Sequence, residues 1–354
     1  MFGPDHYVPV LKVKRGEKNA LQLLAVDLRP HITPLLEIVE WQRSDRKPTL
    51  SRHLDTAFKD LTVSLQRYPR CFLDSRELAP HGDTAAEEVF RRAVRDGLPF
   101  IPVTGISERA DVAAALSHRE RGLAIRLTRF EFEAGELSSR LLDFMDRHDI
   151  GFEVTDLIVD LGAVEDMVPE GVAWFATRFL ADVPHADSWR TLTVSASAFP
   201  LSMRIVERNS HRYAERTEWL AWRDHLRDNG RLRRIPTYSD CAIQHPAGVE
   251  GFNPRFMSVS AAVRYALSDR WLLIKGESTR RRRAVEQFPQ LAKKLVYGYL
   301  REDFHGPAHC RGCASIRAAA NGRKGFGSPE AWRRIGTVHH MTEVTQALRA
   351  LSGS

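Results

Sequence analysis

Eight short runs recur along the first part of the chain, most of them apolar at odd and even positions until their last few residues. They are YVPVLKVK (7–14), TPLLEIVE (33–40), RCFLDSRE (70–77), PFIPVTG (99–105), GLAIRLT (122–128), TDLIVDLG (155–162), TLTVSAS (191–197) and RIPTYSD (234–240). A strand that is apolar on both faces has to be covered on both faces, which is the condition of a parallel sheet sheathed in helices. Between the runs, segments such as EKNALQLLAVDL, TAAEEVFRRAV, EGVAWFATRFLADV and AERTEWLAWRDHL carry apolar residues at three- and four-residue spacing, the pattern of one-sided helices. Eight strand–helix units in succession, without a Gly-rich dinucleotide fingerprint, predict an α/β chain closed into a TIM-like (β/α)8 barrel. An open doubly wound α/β sheet is the alternative.

No linker divides these units, so the 354 residues read as a single barrel domain with its core over 1–302. The remainder, 303–354, is an extension rich in His, Cys and Arg, expected to cover one mouth of the barrel. The last third breaks the strand–helix rhythm. VRYALSDRWLLIK (263–275) reads as a hairpin turning at Ser268-Asp269, and RRRAVEQFPQLAKKLVYGYL as a helix interrupted or restarted at Pro289.

Polar residues gather where the strands end. Lys12, Lys14, Glu37, Asp74, Arg76, Arg126, Asp160 and Asp240 all follow apolar stretches, and Val8, Val10, Leu35, Phe72, Ala124 and Ile158 precede them at matching parity. A barrel that fills its interior with apolar groups and projects functional groups at its C-terminal mouth produces this pattern. Buried charges there would have to neutralise one another, the cations against the carboxylates. Any one such residue is also what a strand end meeting water displays. Repetition over most of the strands is what points to a polar pocket. Glu37, Asp74, Asp160 and Asp240 would then supply oxygen ligands for Mg²⁺ or Mn²⁺, with Lys14 stabilising developing charge in phosphodiester hydrolysis. Lys12, Arg76 and Arg126 would hold an anionic substrate.

The opening YVPVLKVKRGE, the second strand ITPLLEIVE, the stretch YSDCAIQHP and the ending WRRIGTVHHMTEV together resemble the phage and bacterial "beta protein" family. The resemblance spans essentially the whole chain. It implies a protein of this length from the setting of mobile elements and antiphage defence, with a possible protein partner in a defence system, and supports the single-domain reading more than any particular reaction.

Three further features bear on chemistry. HGPAHCRGC places His309, Cys310 and Cys313 within reach of one zinc ion, but a closed site needs a fourth ligand. With no second Cys-x-x-Cys, that ligand would have to be His305, Cys241, His339 or His340, and a loop with two free thiols is the plainer reading. His245 closely follows the eighth run and is the histidine best placed as a general acid or base. Arg280, Arg281 and Arg282 belong to a run of four arginines that suits a phosphate backbone, or simply the solvated start of a helix. A net charge of +7 favours anionic partners, nucleic acid or a nucleotide among them. Non-catalytic recognition of such a ligand, or of a partner protein, competes with hydrolysis. Four cysteines in a chain this long, and no apolar run of membrane-spanning length, lead us to expect a cytoplasmic protein with no membrane partner.

Overall fold

The computed structural model describes residues 2–107, 111–248, 260–278 and 283–353. Its strands are β1 Tyr7–Lys12, β2 Leu35–Glu37, β3 Cys71–Asp74, β4 Phe100–Thr104, β5 Leu123–Thr128, β6 Thr155–Ala163, β7 Thr191–Ser197, β8 His211–Glu215, β9 Thr237–Asp240, β10 Ser260–Ala266 and β11 Arg270–Ser278. Strands β1 to β7 pair in parallel in chain order, and β9 pairs with both β7 and β1, closing an eight-stranded barrel. The barrel is the TIM-like one expected, built on the eight runs, and the open sheet is excluded.

Alternation along the strands divides two cores. Val8, Val10, Leu35, Phe72, Ile101, Val103, Ala124 and Ile158 fill the barrel interior, together with Cys241 just past β9. The opposite parity, with Tyr7, Leu11, Leu36, Leu73 and Ile125 among it, packs against the helices outside. On β7 and β9 the inward positions are instead small hydroxyl residues, Thr193, Ser195, Thr237 and Ser239, which pair across the two strands. The N-terminal segment closes the lower end, where Phe2 meets Phe72 edge-on and Thr237 Oγ1 donates to the Gly3 carbonyl.

The hairpin forms as expected, but it joins neither the barrel nor a strand–helix unit. β10 and β11 pair antiparallel, and β11 pairs with β8, which lies in the connection between β7 and β9. This small sheet stands on the C-terminal rim, where Trp271 packs edge-on against Phe199 just beyond β7. Pro289 does not break its helix, which runs from Ala284 to Val296 around it.

The last helix of the extension packs against the side of the barrel rather than across its mouth. The last helix, Pro329–Ser352, starts with the Ser328 hydroxyl accepting from the Ala331 N–H and with proline at its first position, a well-formed N-terminus. It lies against β1, β10 and the first helix, Arg15–Leu23. Met341, Val344 and Leu348 join the outer barrel core, whereas Trp332 and Ile335 join a second core with Tyr265, Ile274, Phe288 and Ile316. A helix buried on both sides has no polar stripe, and this one shows none. Gly336 lets it come close: a Cβ there would sit 2.8 Å from the Arg264 carbonyl oxygen.

Because Phe72 is fully buried at the centre of the interior layer, Phe72→Ala should cost about 3–5 kcal/mol. Urea denaturation followed by circular dichroism measures the loss.

Candidate functional site

Register brings the strand-end charges together. Lys12, Glu37 and Asp74 occupy one rung across β1, β2 and β3, and all three face inward above the apolar layer. Arg126 reaches across from β5. Its Nη1 donates to Glu37 Oε1 at 2.7 Å and Asp74 Oδ2 at 2.8 Å, and its Nε and Nη2 donate to Asp160 Oδ2 at 3.0 and 2.7 Å. Arg76, in the turn after β3, caps the group from above. Its Nη2 lies 2.9 Å from Glu37 Oε1 and 3.3 Å from Asp160 Oδ2, and its Nε lies 3.4 Å from Asp74 Oδ2. Lys12 Nζ pairs with Glu37 Oε2 at 2.8 Å and with Glu77.

Lys12, Glu37, Asp74, Arg126 and Asp160 are all buried, and Arg76 is partly open to solvent. Burial alone would raise the pKa of Glu37 and Asp160. The Arg126 guanidinium, seconded by Lys12 and Arg76 for Glu37 and by Arg76 for Asp160, reverses that and holds both carboxyls below their ordinary values. Burial is opposed in the same way at Lys12, whose ammonium is held up by Glu37 and Glu77. Lys14 differs. It lies beyond the strand end at the N-terminus of the first helix, exposed, with no ion-pair partner among the described residues. Partial desolvation, with Arg333 and Lys12 nearby, lowers its pKa.

Each oxygen of the three carboxylates already has a donor. Asp74 Oδ1 accepts from the Arg76 backbone N–H and Asp160 Oδ1 from that of Gly162, both at 2.9 Å. With the arginine contacts above, both oxygens of Glu37, Asp74 and Asp160 are engaged. A Mg²⁺ or Mn²⁺ ion placed here would meet two guanidinium groups where it needs open oxygen, so the set does not suit a divalent cation.

Asp240 does not belong to this group. It faces the other side of the sheet, between barrel and helices, where Oδ1 accepts from Tyr7 Oη and the Ala242 N–H, and Oδ2 from Tyr238 Oη and His340 Nε2, each of the last two at 2.8 Å. The inward places at that strand end belong to Ser239 and Cys241, because parity runs one residue out of step with the reading. Behind Asp240, burial pushes Glu218 up to about 8.

His245 does sit near the mouth, bonded through Nε2 to Glu165 Oε1 at 3.0 Å, while Nδ1 accepts from the Ala247 N–H at 3.1 Å. Both ring nitrogens are occupied, so no lone pair is free to take a proton. Arg280, Arg281 and Arg282 lie outside the described residues.

Cys310 and Cys313 are not in a free loop. Cys310 caps the helix Arg311–Ala320, its Sγ accepting from the Cys313 N–H at 3.3 Å. His339 of the last helix faces both sulfurs, and among the described residues two groups have metal-ligand spacing: Cys310, Cys313, His339 and His305, His309, His339. His340 and Cys241, the other ligands considered, point elsewhere.

Several participants carried little or no signal in the sequence. Glu77 ends the third run at the opposite parity from Asp74 and Arg76, and it reaches Lys12 because the chain leaves the strand after Asp74 and turns as a short 3-10 helix, Arg76–His81. Glu165 and Glu218 offer no pattern at all. A concavity of about 550 Å³ opens at the opposite, N-terminal end of the barrel beside Phe2, His6 and Arg70, the face that ordinarily serves stability in such barrels.

Removing Arg126 should be severe, because three carboxylates would remain buried together. Arg126→Leu is expected to cost about 3–5 kcal/mol at neutral pH. Depressed carboxylate pKa values contribute stability that is present above the unfolded values and lost as pH falls through the folded ones. The wild type should keep that stability down to about pH 4.5 and lose it below, whereas carboxyls left buried without the guanidinium bind protons at higher pH, so the gap to Arg126→Leu should narrow from pH 7.5 to pH 4.5 in denaturant titrations. A gap independent of pH would contradict the assignment.

The chain matches the family model described as Beta protein over residues 7–346 and belongs to that family. No curated protein and no solved structure matches it.

Proposed function

Starting from a Beta protein family barrel, we propose that its C-terminal mouth recognises a phosphate-bearing anion, nucleic acid or a nucleotide, without metal-dependent hydrolysis. One observation carries this reading: each carboxylate oxygen at the mouth already has a donor, and the charged groups there with an atom still unpartnered are cations. Every oxygen of Glu37, Asp74 and Asp160 is taken, whereas Arg76 Nη1 and Lys14 Nζ have no partner among the described residues. A ligand entering from solvent meets donors, so it has to bring acceptors. The hydroxyls of Ser195 and Ser239, on the rung of Asp160, are also without a hydrogen bond.

Phosphate oxygens match a guanidinium edge and a mobile ammonium better than a neutral ligand would. The buried carboxylates serve as the frame: they hold Arg76 fixed, so little side-chain entropy is lost when an anion binds. In the antiphage-defence setting of the family resemblance, nucleic acid or a nucleotide is the natural source of that phosphate. Hydrolysis fits less well. The carboxylates are held ionised by cations, which makes them weak bases, and His245 has both nitrogens engaged.

Fluorescence polarisation with a labelled single-stranded oligonucleotide, and calorimetry with a nucleoside triphosphate, test the proposal. Lys14→Ala, Arg76→Ala and the double variant should weaken binding, the double variant by at least about tenfold, and should flatten the dependence on salt by roughly one phosphate contact per residue removed. Thermal melting identifies any variant that is merely unfolded, and exposed Lys14 gives the cleaner arm. Wild-type protein that binds neither probe at low salt, or a folded Lys14→Ala protein with unchanged affinity for both, would overturn it.

A further inference from the structure

We propose that Cys310, Cys313 and His339 bind a zinc ion, completed by His309, that ties the helix Arg311–Ala320 to the C-terminal helix. The site lies away from the barrel mouth and does not depend on what that mouth binds.

Geometry is the first argument. His339 Nδ1 lies 3.7 Å from Cys310 Sγ and 3.4 Å from Cys313 Sγ. A tetrahedral zinc ion, with bonds of about 2.3 Å to sulfur and 2.0–2.1 Å to nitrogen, sets its sulfur and nitrogen ligands about 3.5 Å apart. His339 thus already stands from both sulfurs at about the separation that a shared ion imposes, and the two sulfurs lie within 4.8 Å of each other.

The arrangement of lone pairs is the second. His339 Nε2 lies 2.7 Å from the Ala266 carbonyl oxygen. A carbonyl only accepts, so Nε2 carries the hydrogen and Nδ1 presents its lone pair to the sulfurs. That backbone contact is the outer-shell support that metal-bound histidines ordinarily have. One lone pair can accept one S–H, yet two sulfurs converge on it. A cation between them satisfies all three.

Third, the surroundings exclude water and fix the ligands. Cys313 and His339 are fully buried, and the His339 ring stacks on Tyr265 at 3.9 Å between centroids. Tyr265 Oη lies 3.3 Å from Cys313 Sγ, and the Cys313 N–H supports the Cys310 sulfur. Both contacts hold the sulfurs in place facing His339.

The fourth position falls to His309. Its Nε2 is buried and makes no hydrogen bond, although Glu343 Oε2 lies 3.3 Å away. Its ligand nitrogen is within 4.8 Å of that of His339 but does not share that spacing with both sulfurs, so His309 would complete the site by a change of side-chain rotamer. Glu343, also 3.4 Å from His305 Nδ1, then supplies negative charge just outside the ligand set. Four protein ligands leave no open position, so the ion is structural. It would act where the second core has little else to hold it, since the helix it pins contributes mainly Ile316 and small residues. Binding releases the two thiol protons to solvent and changes no oxidation state.

Metal analysis of the full-length protein should find about one zinc per chain. After removal of zinc by a chelator, Co²⁺ should restore one equivalent with sulfur-to-cobalt charge-transfer absorption and the strong visible bands of tetrahedral cobalt. Cys310→Ser with Cys313→Ser should abolish both, whereas Cys71→Ser with Cys241→Ser should keep them. His309→Ala should retain the charge-transfer band with altered visible bands, and unchanged bands would remove His309 from the set. Wild-type protein that holds no zinc and shows no charge-transfer band with Co²⁺ would overturn the proposal, whatever the variants do.

Discussion

The upper half of this barrel depends on the Arg126 guanidinium. One side chain from β5 bonds carboxylates on β2, β3 and β6, strands that are not all its neighbours. Taking four charges out of water costs several kcal/mol per ion, and mutual attraction offsets that only where hydrogen bonds are complete. Here they are, through Arg76, Lys12 and two backbone N–H groups. The network therefore gives geometry more than stability: it fixes which strand ends face one another and leaves no carboxylate oxygen idle. An acid cluster finished in this way is a support for cations rather than a cage for one.

A second constraint is the long C-terminal helix. After β9 the chain leaves the barrel to build the small sheet and two helices, and returns only at Pro329 to wall the strand it left. The helix is thereby shared between two cores that could not otherwise be held together by sequence neighbours. Its adjacent histidines show the division. His340 bonds Asp240 on the barrel side, and His339 faces the two cysteines on the other. Two consecutive residues on one helix point about 100° apart, so a single turn serves both networks.

What could be read in the chain beforehand followed from periodicity. A parallel strand apolar at both parities declares itself, and the eight runs became the eight barrel strands. Where a strand mixes Val or Leu with one terminal charge, parity also identifies the inward side, which is why Lys12, Glu37, Asp74, Arg126 and Asp160 meet. Parity fails on β9. Thr237, Tyr238, Ser239 and Asp240 are polar or amphipathic at every position, so nothing local says that the serine rather than the aspartate turns inward. β8 was hidden for a related reason: HRYAE is half-exposed, and its alternation merges into the helical pattern that follows. The pairing of Cys310 with His339 was the least legible, since it is set by how two helices pack and not by spacing along the chain.

The excess positive charge and the mouth are separate matters. Lys12, Lys14, Arg76 and Arg126 are matched in number by Glu37, Asp74, Glu77 and Asp160, although Lys14 pairs with none of them. The +7 of the whole chain therefore resides elsewhere on the surface. Long-range attraction of an anion belongs to that surface and fades within a Debye length. Selection at the mouth is short-range, because a group with no net charge discriminates only through where its donors point. Such a division lets a protein gather many anions loosely and hold few of them. It also explains why a basic composition alone could not say which residues do the recognising.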